Sequence, residues 1–379
     1  MFPLHPLFAL SVFAIAFATA FLINLKFKIA YLPGRYETID SLRGFLAIGV
    51  FIHHAAIWHQ YLETGKWAVP QSTLYAELGA TSVSIFFMIT SFLFVTKLLN
   101  TGEKEFQWCN FFISRIFRLV PMYYFSLLLI IILAMALTQW QFQVSFAEFL
   151  NSIWHWLIFT IAEEKPINGY AFTNWINAGV TWSLPYEWLF YFSLPLIGLL
   201  LLRKKPAKIV LAASVLFIVI FVFVHPINMY HMLAFASGAV APFLLKYTSA
   251  AQKTGNAVFS FAIIGCFVLM TLIDKAYVHK FLIAIVFTLV AMGNSVFGLL
   301  RNNTLKFLGE ICYSTYLLHG ILLFIAMHFI IGTENASLLT PAQYCAVIFA
   351  VTPVLVVCSF LGFHLIEKPF MDWGKKIGK

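Results

Sequence analysis

Arg43 and His54 lie eleven positions apart in the stretch IDSLRGFLAIGVFIHH, residues 39–54. At about 100° and 1.5 Å per residue, a helix turns them to within roughly 20° of one another and sets them about 16 Å apart along its axis. The two side chains are too distant to bond each other, but they are placed to hold two ends of one elongated ligand. A planar guanidinium suits a phosphate, and an imidazole suits proton transfer near neutral pH. Asp40 precedes Arg43 by three residues, within reach of an i, i+3 ion pair, and joins the same stripe. His53 sits about 80° away from the arginine face. The pattern fits a coenzyme A thioester with its phosphates at Arg43 and its acyl end near His54. Plainer readings stand beside it: Arg43 as a snorkelling anchor, His54 as a helix–helix hydrogen bond, Asp40 as a helix-start residue, His53 as structural.

The elements that position these residues are membrane helices. The 379-residue chain is 61% hydrophobic and only 10% charged, against about 25% charged for a soluble domain. Apolar runs long enough to cross a bilayer occur at 5–25, 39–58, 79–99, 117–138, 180–202, 208–224, 229–245, 256–273, 280–299, 307–331 and 343–365. The expectation is an all-α polytopic protein with about eleven transmembrane helices. Placing the N-terminus outside puts nineteen of the 24 Lys and Arg residues in inner loops and four in outer ones, so the topology is expected N-out and C-in. The net charge of +9 is thus charge placement and not a nucleic-acid surface. Residues 139–179 fit no clean span and are expected to form an outer loop with an interfacial or re-entrant helix. The first apolar run has no preceding Lys or Arg, unlike a signal peptide, and is expected to stay as a transmembrane helix. The five cysteines show no C-x-x-C spacing and imply neither a disulfide framework nor a metal site.

Other ionisable residues fall in or beside apolar runs, where such groups are costly. Arg115 and Arg118, three apart at an expected inner end, form a candidate anion site. Glu187 begins a span near the expected outer face, as a partner for an acceptor hydroxyl or a buried cation. His319 shares a helix face with Cys312 and Thr315. Glu367 precedes Lys368 and Pro369, where a helix-end ion pair is expected. The intramembrane Arg43, His54 and Glu187 are also compatible with a secondary transporter that uses them as a relay.

The stretch IDSLRGFLAIGVFIHH resembles the opening of the acyltransferase-3 family of integral membrane acyltransferases, which carry Arg, ten residues, then His. The resemblance continues in order through SIFFMITSFLF (84–94), RIFRLVPMYY (115–124), TWSLPYEWLFY (181–191), LGEICYSTYLLHG (308–320) and FHLIEKPF (363–370). Thr90-Ser91 stands where the family has Ser-Gly, and Glu187 is followed by Trp188 where the family has a second Glu. The resemblance implies a ten-helix domain over 31–379, with the helix in 1–30 as an addition. It implies O-acyl transfer, with acetyl-CoA as donor and no metal, to a glycan or lipid-linked sugar such as a lipopolysaccharide O-antigen or an exopolysaccharide. It also implies a bacterial inner (cytoplasmic) membrane. Arg43, Arg115 and Arg118 are then expected to hold the donor, and His54, Arg43 and Glu187 to serve catalysis with His54 as general base. Asp40, His53, His319 and Glu367 are further candidates.

Overall fold

A computed structural model describes residues 2–27, 36–101, 106–202, 205–247, 255–273 and 275–378. Lys28, Arg35, Lys104, Arg203, Lys204, Lys253 and Lys379, counted in the charge argument, lie outside them. The described chain is helical: α1 (Pro6–Phe27), α2 (Glu37–Thr64), α3 (Thr73–Asn100), α4 (Trp108–Leu137), α5 (Phe146–Leu157), α6 (Ser183–Leu202), α7 (Lys208–Val224), α8 (Met229–Gly238), α9 (Val240–Tyr247), α10 (Ala257–Leu272), α11 (Ala276–Ala291), α12 (Asn303–Glu310), α13 (Cys312–Phe324), α14 (Thr333–Ser337), α15 (Pro341–Gly362) and α16 (Lys368–Ile377). Among the described residues, seven helical segments are long and apolar enough to cross a membrane, and the chain is a multi-pass membrane protein. Three more apolar helices, Lys208–Val224, Ala257–Met270 and Tyr277–Ala291, are shorter.

Each expected apolar run is helical over most of its length; α2, α3 and α4 reach beyond the expected bounds, and four other runs are broken, shortened, divided or continued. The 229–245 run breaks at Ala239, between α8 and α9; Pro242 in the first turn of α9 has no N–H to continue the α8 ladder. The 280–299 run stops at Ala291, because Gly293, Val296, Phe297 and Gly298 all take positive φ. The 307–331 run divides into α12 and α13, and a π turn (Ile325–Ile330) extends α13. The 343–365 run continues through a second π turn (Phe363–Glu367) into α16. In the 139–179 region, α5 starts at a capping box between Ser145 and Glu148. At twelve residues it is about 18 Å long, too short to span the roughly 30 Å apolar core.

The helices group into two units. Unit 1 comprises Met1–Thr96, Tyr230–Tyr316 and Ile325–Ser359. Its densest packing is between α2 and α12, where Gly44 and Gly309 let the two backbones touch. A Cβ on Gly309 would lie 1.8 Å from the Asp40 carbonyl oxygen, and one on Gly44 would lie 2.7 Å from the Gly309 nitrogen. Small residues at such crossings let helices meet without a hydrophobic drive. Helix α1 packs on α2 and α12, with Phe13 stacked on Phe45 at 4.3 Å. Unit 2 comprises Lys97–Met229, Leu317–Phe324 and Phe360–Lys379. In it α4 packs along α16, where Gly374 admits Phe117, and α6 packs on α7 through Phe192 and Phe217, 4.1 Å apart.

Candidate active site

Helix α2 supplies the first group of ionisable residues, all in unit 1. Asp40, Arg43, His53 and His54 are half-buried. The Gly44–Gly309 crossing lies beside Arg43 and holds the backbone of Asp40. The start of α2 is also tied down by Thr38, which donates to the Val290 carbonyl at 2.9 Å, and by Glu37, 3.2 Å from Lys306. At the other end, His54 Nδ1 lies 3.0 Å from the Val50 carbonyl oxygen. A carbonyl only accepts, so Nδ1 carries the proton and, in the neutral ring, Nε2 keeps the lone pair. His53 Nδ1 donates in the same way to the Tyr75 carbonyl of α3, at 2.7 Å. The His53 ring fills the space beside Gly79, where a Cβ would lie 2.5 Å from it. The two adjacent histidines thus differ in setting: His53 wedges α2 against α3, and His54 folds back on its own helix.

The second group is in unit 2. Tyr191 donates its hydroxyl to Glu187 Oε1, one turn earlier on α6, and Arg115 of α4 bonds the same Tyr191. The sequence expectation set Arg115 at an inner end and Glu187 near the outer face. The fold joins them through Tyr191, because the side chains of Arg115 and Tyr191 bridge the gap between α4 and α6. Arg118 turns the other way and donates from Nη1 to Met371 Sδ of α16 at 3.1 Å. The two arginines therefore face different partners. Tyr191 went unremarked in the sequence, although its i, i+4 spacing from Glu187 is the detectable signal.

His319 is fully buried on α13, as are Cys312 and Thr315. The next residue, Gly320, lies against the Asn177 backbone, where a Cβ would come within 2.3 Å. That contact fixes the helix on the turn Ala178–Gly179, both of positive φ. Glu367 is also fully buried. It lies at the end of the π turn that joins α15 to α16, and Pro369 is two residues on, in the first turn of α16.

Outside the spans, Glu164 accepts a hydrogen bond from the Thr181 hydroxyl, and burial holds its carboxyl above the usual carboxylate range. Among the described residues no group of three or more His, Cys, Asp or Glu side chains is placed to hold a metal, and none of the five cysteines is in a disulfide.

The Tyr191 bridge gives a test of its own. Tyr191→Phe removes a buried hydroxyl between two charged groups and is expected to cost about 1.5–3 kcal/mol. Adding Glu187→Gln should cost little more, because the two residues act as one unit. A thermal-shift double-mutant cycle on the detergent-solubilised protein measures this; fully additive losses would dismiss the bridge.

A family model described as an acyltransferase domain matches residues 36–360, which takes in α2 through most of α15. No curated protein and no solved structure matches the chain.

Proposed function

The chain belongs to the acyltransferase-3 family, and from that premise we propose that it is an O-acetyltransferase of the bacterial inner membrane. In this reading it moves acetyl from acetyl-CoA to a hydroxyl of a surface or lipid-linked glycan, such as a lipopolysaccharide O-antigen or an exopolysaccharide. The eleven-helix, N-out and C-in topology belongs to the same proposal, as does the division into an added helix (1–30) and an acyltransferase domain (31–379). The observation that carries the reading is the α2 stripe: Arg43 beside a backbone crossing at one end, His54 with Nδ1 tied to Val50 at the other.

His54 Nε2 takes the proton of the acceptor hydroxyl as its oxygen attacks the thioester carbonyl. The tetrahedral intermediate collapses with loss of the coenzyme A thiolate, which recovers that proton from the His54 imidazolium. Arg43, oriented by Asp40, is the donor-binding residue of unit 1, and Arg115 and Arg118 are the donor-binding residues of unit 2. Glu187 positions reacting groups through Tyr191. His53, His319 and Glu367 support the fold around these residues.

Mass spectrometry of the host's surface glycans tests the function. A strain lacking the gene should lose a fixed acyl mass. Wild type should restore it, and His54→Ala, at equal expression, should not. Unchanged glycan masses in every strain would reject the glycan assignment.

A further inference from the structure

Unit 2 holds a second set of groups that the acyl-transfer step leaves unused. The Trp188 side chain is only 7% exposed, and its indole N–H has no hydrogen-bond partner among the described residues. Buried donors are nearly always paired, so an orphan calls for a physical reason. The ring stands edge-on to Tyr191, with centroids 5.8 Å apart, and 5.4 Å from Phe159.

Phe159 in turn stacks on Tyr123, with centroids 4.4 Å apart. The Tyr123 hydroxyl donates to the Trp156 carbonyl at 2.6 Å, which fixes its ring. Phe159 and Thr160 are buried, yet both have positive φ, at 61° and 53°. Consecutive non-glycine residues in left-handed backbone are strained, and such strain gathers at ligand sites. The Phe159 ring is thus a plug on strained backbone, set against both Tyr123 and Trp188. Glu164 follows in the same loop, half-buried beside Thr181 and close enough to Tyr123 to act on it electrostatically.

We infer that a neutral sugar ring of the acceptor takes the place of the Phe159 ring, stacking on Tyr123, accepting a hydrogen bond from the Trp188 N–H and donating a hydroxyl to Glu164. An aromatic face takes the C–H face of a pyranose, and the orphan donor and the carboxyl serve its oxygens. None of these four residues is cationic, so an anionic ligand finds no counter-charge in the set. The inference rests on the acyl-transfer reading and assigns the acceptor end of it.

Steady-state kinetics on the purified full-length protein test it. The probes are acetyl-CoA with methyl α-L-rhamnopyranoside, methyl α-D-galactopyranoside or methyl β-D-glucopyranoside, and the products are followed by mass spectrometry. Wild type should acetylate at least one glycoside. Trp188→Phe and Glu164→Gln should each raise its KM by about tenfold, with the acetyl-CoA KM within about twofold of wild type. Phe159→Gly, which relieves the backbone and removes the plug, should lower the glycoside KM. An unchanged glycoside KM in either of the first two variants, or a raised one in Phe159→Gly, overturns the subsite. A wild type that cleaves acetyl-CoA but acetylates no glycoside overturns the subsite and leaves acyl transfer standing. A wild type that neither binds nor cleaves acetyl-CoA overturns the underlying reading instead.

Discussion

His54→Ala should lower the rate of acyl transfer by between about a hundred- and ten-thousandfold, the span that one positioned general base contributes. A sugar hydroxyl is a poor nucleophile at neutral pH and needs its proton removed as it attacks. The Nδ1 contact with the Val50 carbonyl fixes the tautomer in which Nε2 is the acceptor. The acetyl-CoA KM should stay within about twofold, because the loss falls on the transition state and not on donor binding. Added imidazole should restore part of the rate. His53→Ala is the control on the neighbouring position. It removes the 2.7 Å bond to the Tyr75 carbonyl and the ring packed on Gly79, so it should lower thermal stability while the rate per folded molecule survives. Rates come from thiol release under saturating donor. A His54→Ala enzyme at the wild-type rate would remove the base from the mechanism, and equal losses in both variants would assign the effect to packing.

The contrast between these neighbouring histidines was partly legible in the sequence. Helical spacing alone separates His53 from the Arg43 face, because 100° per residue is a property of the backbone. Glu187 and Tyr191 were legible in the same sense, four residues apart on one helix. What the spacing does not carry is any contact between distant segments. The bond of Arg115 to Tyr191 depends on how α4 meets α6, and the half-buried Glu164 on a loop whose only local signal is its polarity. The close approach of Gly238 to α3, where a Cβ would lie 2.3 Å from the Met88 carbonyl oxygen, is another such contact. The helix runs were visible because burial in lipid demands long apolar segments. Their breaks at Pro242 and at Gly293 were marked by residue type, but length alone read through them.

Gly309→Ala should prove as damaging as the loss of His54, although it touches no reacting atom. The added methyl carbon would sit 1.8 Å from the Asp40 carbonyl oxygen. A carbon and an oxygen settle at about 3.3 Å even in the closest weak contacts, so one backbone must retreat by more than an ångström. The obstacle is main chain on both sides, and no rotamer change relieves it. The displaced segment is the turn of α2 that carries Asp40 and Arg43, and Gly44 closes the same crossing, 2.7 Å from the Gly309 nitrogen. A misplacement of about 1 Å in a positioning element costs on the order of a hundredfold in rate, and overpacking costs typically 1–3 kcal/mol more in stability. Gly265→Ala makes the identical chemical change inside α10, where nothing lies within 4 Å of the added carbon. Relieving a helix-interior glycine there should stabilise slightly, by about 0.5–1 kcal/mol. Fluorescence-detected size exclusion gives the folded yield of each variant, and thiol release gives the rate per folded molecule. The crossing controls the site only if Gly309→Ala loses yield or rate while Gly265→Ala loses neither. Wild-type yield and rate in Gly309→Ala would mean that α2 and α12 are held apart by at least the width of a methyl group, and that Arg43 owes its position to something else.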